Sequence, residues 1–104
     1  MSHVSFEDVA AAVQVQSGAV VSKVIHRDEA IEVTVFGFDA DEGLSEHTAT
    51  RSAIVQVLSG RLSFTVEGDG LEMLRGAWLH MDAGATHSLT ASEPTVMLLT
   101  LLPS

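Results

Sequence analysis

The chain has 104 residues, of which 46% are hydrophobic and 18% charged, a balance typical of one globular domain and unlike that of a disordered segment. Its formal net charge of −9 disfavours nucleic acid or an anionic membrane surface as a partner. Because the sequence has no cysteine, no signal-peptide pattern and no run of apolar residues long enough for a membrane helix, we expect no disulfide, no thiolate metal site and a cytoplasmic location.

The residue pattern divides the chain into an N-terminal arm, residues 1–18, and a β-rich part, residues 19–102. Together they form one predicted domain over residues 1–104. Ser5 is a candidate N-cap, acidic residues follow it, and an alanine-rich run leads to Gly18, so we expect a short helix in the arm. A helix of this length is not stable alone and must pack on the rest of the domain.

The clearest strand pattern is Ile31–Phe38, which alternates apolar and polar residues with a period of two. Ile31, Val33 and Val35 share one face, whereas Phe36 and Phe38 make the far half of the other face apolar as well. We therefore expect both faces of this half to be covered, which would suit a homodimer contact.

The other segments with strand character are short and separated by turn signals. Residues 39–50 are interpreted as a polar loop. The remaining predicted strands are residues 19–27, 52–58, 61–66, 71–74, 77–81, 86–91 and 95–102. About eight strands at this spacing indicate an all-β sandwich or barrel. A barrel or jelly roll fits better than an open sheet because it protects the strand edges.

Two glycine- and histidine-containing segments stand out within this β pattern. They resemble the two motifs of a small single-domain cupin of the RmlC-like, cupin 2 type, a resemblance that covers about residues 19–102. In the first motif, Gly-x5-His-x-His-x3–4-Glu-x6-Gly, His47 and Gly60 match and Gly43 matches with a shorter spacer. The second histidine position falls on Ala49, and the glutamate position falls on Ala53.

The second segment resembles the motif Gly-x5-Pro-x-Gly-x2-His-x3-Asn. Gly76, Gly84 and His87 match it with correct spacing, whereas Asp82 replaces the proline and Ala91 replaces the asparagine. The resemblance implies a double-stranded β-helix, or jelly-roll barrel, with a short N-terminal helix. It also implies an interior pocket that His47 and His87 share.

Complete cupins hold a divalent transition metal with three histidines and one carboxylate, and this sequence keeps only two of those groups. A metal such as Zn, Ni, Mn or Fe is therefore an open expectation, with His80 as the candidate third ligand beside His47 and His87 if its side chain points inward. Thr48, Arg51 and Trp78 are the candidate ligand-binding residues, with Arg51 able to pair with an anion.

Three functions remain open from the sequence. The first is a domain that binds a small molecule, with or without a metal, in a pocket lined by His47 and His87. The second is a metal-dependent cupin enzyme of the dioxygenase or isomerase type, with His47, His87 and His80 on the metal. The third is a non-catalytic dimeric module, which predicts no well-formed cavity. The alanines at 49 and 53 favour binding over redox catalysis.

Overall fold

The computed structural model describes residues 2–103, and this range contains nine strands. In chain order they are β1 (Val20–Arg27), β2 (Glu32–Phe38), β3 (Gly43–His47), β4 (Ala53–Ser59), β5 (Arg61–Val66), β6 (Asp69–Leu74), β7 (Trp78–Met81), β8 (His87–Ala91) and β9 (Thr95–Leu101). They form a five-stranded sheet in the order β1-β2-β9-β4-β7 and a four-stranded sheet in the order β3-β8-β5-β6, with every pair antiparallel.

The two sheets enclose one apolar core. Strand β4 shows how the sequence pattern produces it, because Ala53, Val55 and Val57 are each at most 2% exposed whereas the residues between them are half-buried. The predicted alternation of β4 is therefore confirmed. The opposite sheet contributes Leu62 and Phe64 from β5 to the same core.

The N-terminal arm contains no α-helix among the described residues, so the predicted helix is wrong. A single 3-10 turn spans Val9–Ala12, and the side chain of Asp8 makes no capping hydrogen bond. The chain is already extended at Val13, and methyl groups of Val13 and Val15 lie close to Gly37 on β2. Burial of these β-branched residues against the sheet outweighs the helix propensity of a short alanine run.

Strand β2 is buried on both faces in its far half, as expected. Val35 and Phe38 lie on opposite faces and both are fully buried. However, it is Phe36 and Phe38 that pack against the core, and the arm covers part of the other face near Gly37. Because the chain's own arm provides this cover, the double burial of β2 no longer argues for a homodimer contact.

The segment interpreted as a polar loop contains a strand, β3, which pairs with β8. Leu44 lies opposite Leu89 and His47 lies opposite His87, with a register shift between them. The bulge puts two residues, Ser45 and Glu46, opposite one residue of β8. Alternation cannot be read from a strand of five residues that contains such an irregularity, which explains why the pattern was missed.

The turn from β1 to β2 is closed by Asp28. Its carboxylate accepts hydrogen bonds from the backbone N–H groups of Ala30 and Ile31 and pairs with His26 at 2.8 Å. Hydrogen bonds from Ile31, His26 and Ala30 lower the pKa of Asp28 from 3.8 to about 2. No helix within residues 2–103 is long and apolar enough to span a membrane.

Candidate functional site

The site begins with two histidines on neighbouring strands of the four-stranded sheet. His47 ends β3 and His87 begins β8, and the two residues are paired across the ladder. The register shift in β3 creates this pairing, because an unbroken ladder from Leu44 and Leu89 would place Glu46 opposite His87 instead. His87 is 8% exposed, whereas His47 is exposed and lies at the mouth.

The two imidazole rings are in contact and each has one nitrogen fixed by the main chain. Their centroids are 4.1 Å apart and their planes cross at 61°. His47 Nδ1 lies 2.6 Å from the carbonyl oxygen of Ser45, and His87 Nδ1 lies 2.8 Å from that of Ala85. Since a carbonyl can only accept, each Nδ1 carries the proton and donates it. In the neutral ring, Nε2 is then an acceptor.

The neighbourhood of His87 keeps both loops of the site in place. The ring of Phe64, 1% exposed, stacks on the ring of His87 at 6.1 Å and 11°. The backbone N–H of Gly84 donates to the carbonyl of Ala49 at 2.8 Å, and Gly84 has φ +83, a conformation that favours glycine. This bond ties the loop after His47 to the loop before His87.

A cavity of about 70 Å³ lies beside the histidine pair. Its polar side chains belong to His47, His87, Arg51 and Asp82. The rest of its wall is apolar and consists of Ala49, Ala53, Met81, Ala85, Leu99 and Leu101. Few, convergent polar groups in an apolar wall are typical of a small-molecule site. Its size corresponds to about two water molecules at ~30 Å³ each.

Arg51 is the cation of this cavity, and part of its side chain has a structural task. Its Nε donates to the carbonyl of Leu102 at 2.5 Å, and its Nη2 lies 3.2 Å from the carbonyl of Ala30 and 3.4 Å from that of Leu101. These bonds join the end of β9 to the β1–β2 turn. Among residues 2–103, no carboxylate forms an ion pair with Arg51.

The carboxylate of Asp82 does not balance that charge. Its side chain is 95% exposed and its Oδ1 lies 3.9 Å from Nδ1 of His80. Asp82 therefore contributes to the rim of the cavity, whereas its charge remains in solvent.

The structure separates the six candidate site residues into two groups. His47, His87 and Arg51 line one cavity, but His80, Trp78 and Thr48 do not. His80 and Trp78 share the outer face of β7, since Met81 between His80 and the turn is 5% exposed and fills the inward position. The expectation that His80 completes a three-histidine site is therefore corrected. Trp78 is 59% exposed and Thr48 is exposed.

The remaining groups do not form a metal site of ordinary composition. Within residues 2–103, no three or more histidine, cysteine, aspartate or glutamate side chains are arranged to hold a metal ion. Two imidazoles fall short of the three protein ligands usual for catalytic zinc. The donor set therefore does not fit the divalent metal of complete cupins.

Sequence reasoning missed part of the cavity wall. Leu99 and Leu101 come from β9, which lies between β2 and β4 in the sheet. The only sequence signal was the apolar run of the last strand, and that run does not tell which of its residues face inward. The pairing of Ala53 with Leu101 in the structure supplies this information.

Comparison with solved structures identifies the fold. The chain superposes over its full length on 91% of a conserved protein of unknown function from Streptococcus pyogenes, with 25% identity and a TM-score of 0.88. It superposes over 92% of its length on 88% of a cupin superfamily protein from Desulfitobacterium hafniense, with 18% identity and a TM-score of 0.87. The chain has the cupin fold.

A third cupin-fold structure carries a related description. It is a cupin 2 conserved barrel domain protein from Leptotrichia buccalis, 29% identical, with a TM-score of 0.83; 90% of the present chain aligns with 46% of that one. No family model matches the sequence, and no curated protein matches it. The expected jelly-roll cupin fold is confirmed.

Proposed function

We propose that this cupin-fold domain binds a small organic molecule in the cavity beside His47 and His87, without a resident metal. One observation carries the proposal. The four positions that hold the metal in complete cupins, 47, 49, 53 and 87, all line this cavity, yet Ala49 and Ala53 offer only methyl groups. The cavity is thus present at the usual place in the fold, but two of the four positions that would supply metal ligands carry apolar side chains.

The physical character of the cavity supports binding. Apolar side chains line most of it, so a carbon skeleton placed there leaves water and gains about 25 cal/mol for each Å² of apolar surface buried. The two imidazoles supply polar contacts, since their Nε2 atoms make no hydrogen bond to any residue in the range 2–103. Their orientation is fixed before binding, which reduces the entropy lost on association.

A metal-dependent enzyme is the second candidate, favoured by the two unbonded Nε2 atoms that a metal could use. It needs further ligands from outside the described side chains, such as oxygens of a substrate. A purely structural module is the weakest candidate, because such a module would need no well-formed cavity and this domain has one.

The experiment uses untagged protein purified without chelator or added metal. Metal content is measured by mass spectrometry, and binding of small alcohols, amides and carboxylates is followed by NMR with and without EDTA. We expect far less than one metal per chain and binding that EDTA does not change. His87→Ala should abolish binding. His80→Ala, which removes the same ring from the outer face, should preserve it.

Two outcomes would overturn the proposal. One metal per chain, lost in His87→Ala and kept in His80→Ala, would establish the metal-dependent candidate. Binding that survives His87→Ala unchanged would place the binding site elsewhere on the domain.

A further inference from the structure

We propose that the ligand of this cavity is a small hydroxycarboxylate, held by Arg51 through its carboxylate and by the histidine pair through its hydroxyl. The inference rests on the proposed function and names the chemical class of its ligand. Three features of the cavity wall lead to it: two concern the carboxylate of the ligand and one concerns its hydroxyl.

The first feature is the one unused nitrogen of the Arg51 guanidinium, Nη1. Its Nε and Nη2 donate to backbone carbonyls, whereas Nη1 makes no hydrogen bond to residues 2–103. No buried side-chain nitrogen or oxygen in that range lacks a partner, so Nη1 is accessible from outside the protein. Arginine stays protonated and pairs with carboxylates through charge-assisted hydrogen bonds. A carboxylate placed beside Nη1 would complete the set.

The second feature is the local charge. The chain carries a net charge of −9, which repels anions on average. Nevertheless, no carboxylate within residues 2–103 pairs with Arg51 in the cavity wall, and the acidic residue on the rim in this range, Asp82, has its side chain 95% exposed. The cavity is therefore a cationic point on an acidic domain. A neutral ligand would leave this charge unused.

The third feature is the acceptor character of the histidine pair. With both Nδ1 protons directed to carbonyls, His47 and His87 each present an acceptor at Nε2 in the neutral state. A carboxylate alone offers only acceptors and cannot satisfy them. A hydroxyl group donates its one hydrogen to the Nε2 of one of the two histidines, so a ligand that carries both groups contacts Arg51 and the histidine pair together.

The remaining wall sets the size of the skeleton. Apolar side chains surround the four polar ones, and the volume of about 70 Å³ encloses only a few non-hydrogen atoms of a ligand. Because His47 is exposed, the rest of a longer ligand can extend from the mouth. We infer a 2- or 3-hydroxy acid or the acid end of a larger one.

The test compares three probes of nearly equal size, namely 2-hydroxybutyrate, butyrate and 2-hydroxybutyramide, by NMR titration of the full chain. We expect 2-hydroxybutyrate to bind about tenfold more tightly than either of the others, since each comparison probe loses one charge-assisted or hydroxyl contact. This comparison uses the unaltered protein, so it stands whether or not any variant folds.

Variants assign each contact to its residue. Arg51→Gln should abolish the preference for the acid over the amide while the amide still binds, and Arg75→Gln, an exposed arginine outside the cavity, should change nothing. His87→Ala should abolish binding of all three probes.

The outcomes separate the two proposals. Equal affinity for all three probes, with His87→Ala still abolishing binding, would overturn the hydroxycarboxylate inference and leave the proposed function standing. If none of the three probes and no member of the small-molecule panel binds, both proposals are overturned.

Discussion

Restoring the two missing ligands tests whether the four motif positions converge. The double variant Ala49→His/Ala53→Glu places an imidazole and a carboxylate on positions that line the same cavity as His47 and His87. We expect it to bind Zn²⁺, Ni²⁺ or Mn²⁺ where the unaltered chain does not. Ala49 is half-buried near the mouth, whereas Ala53 is 2% exposed, so the carboxylate is the more demanding of the two additions.

The magnitude follows from ligand number and burial. A four-ligand structural zinc site binds with about 10–16 kcal/mol, or roughly 3 kcal/mol per ligand, so two added ligands are expected to tighten binding about 10⁴-fold. Without metal, desolvation of the buried carboxylate at position 53 destabilises the fold by several kcal/mol, an effect that Arg51 in the same cavity offsets only in part. Each kcal/mol corresponds to a shift of about 4–8 °C in Tm for a domain of this size.

The assay is thermal unfolding with and without metal. The metal-free double variant should unfold at a lower temperature than the unaltered chain. Metal at 100 times its Kd should contribute about 2.7 kcal/mol, which raises Tm by about 10 °C or more. Ala49→His/Ile54→Glu is the matched control because Ile54 faces outward on the same strand. Equal stabilisation of both variants by metal would refute the convergence of the four positions.

The fold itself supplies three further predictions. Gly43→Ala would overlap the backbone oxygen of Leu89 and should destabilise the domain by about 2 kcal/mol or more in urea unfolding, whereas Gly70→Ala meets nothing within 4 Å; equal effects would contradict the reasoning. The lowered pKa of Asp28 adds stability that is present above about pH 4 and is lost as pH falls towards 2. The free energy of unfolding of Asp28→Asn should therefore fall less steeply over this pH range than that of the unaltered chain. The same pH dependence in both proteins would contradict this reasoning. We propose that the chain forms a homodimer through the outer face that exposes Trp78. Light scattering should then give the mass of two chains for the unaltered protein and of one chain for Trp78→Lys. A Trp78→Lys variant that remains dimeric would show that the dimer uses another contact.

The fold could be predicted from the sequence because its signals are local and repeated. Strand β4 alternates cleanly, and its predicted inner residues are buried. Gly60, with φ +89, lies at a tight turn that only glycine adopts readily, which is why the motif spacing is informative. Such features depend on a few neighbouring residues, so they can be recognised directly from the sequence.

The site could be predicted only in part because its geometry depends on the register between distant strands. His47 and His87 were expected to meet, and they do. His80 points outward because Met81, the next residue of β7, fills the inward position. The sequence of a strand of only four residues does not show which of the two faces inward. The structural bonds of Arg51 reach Leu102, 51 positions along the chain, and no local pattern indicates them.

Because β3 contains a bulge, the protonation pattern of the cavity's histidines depends on the number of residues in the strand and not on the side chains beside them. Both imidazole tautomers are set by main-chain carbonyls, those of Ser45 and Ala85, which any residue at these positions would supply. A substitution at either position would leave the tautomers unchanged, whereas an insertion or deletion would displace the carbonyl. Related chains that agree at His47 and His87 can therefore differ in the proton pattern they present to a ligand through a single-residue gap in this strand.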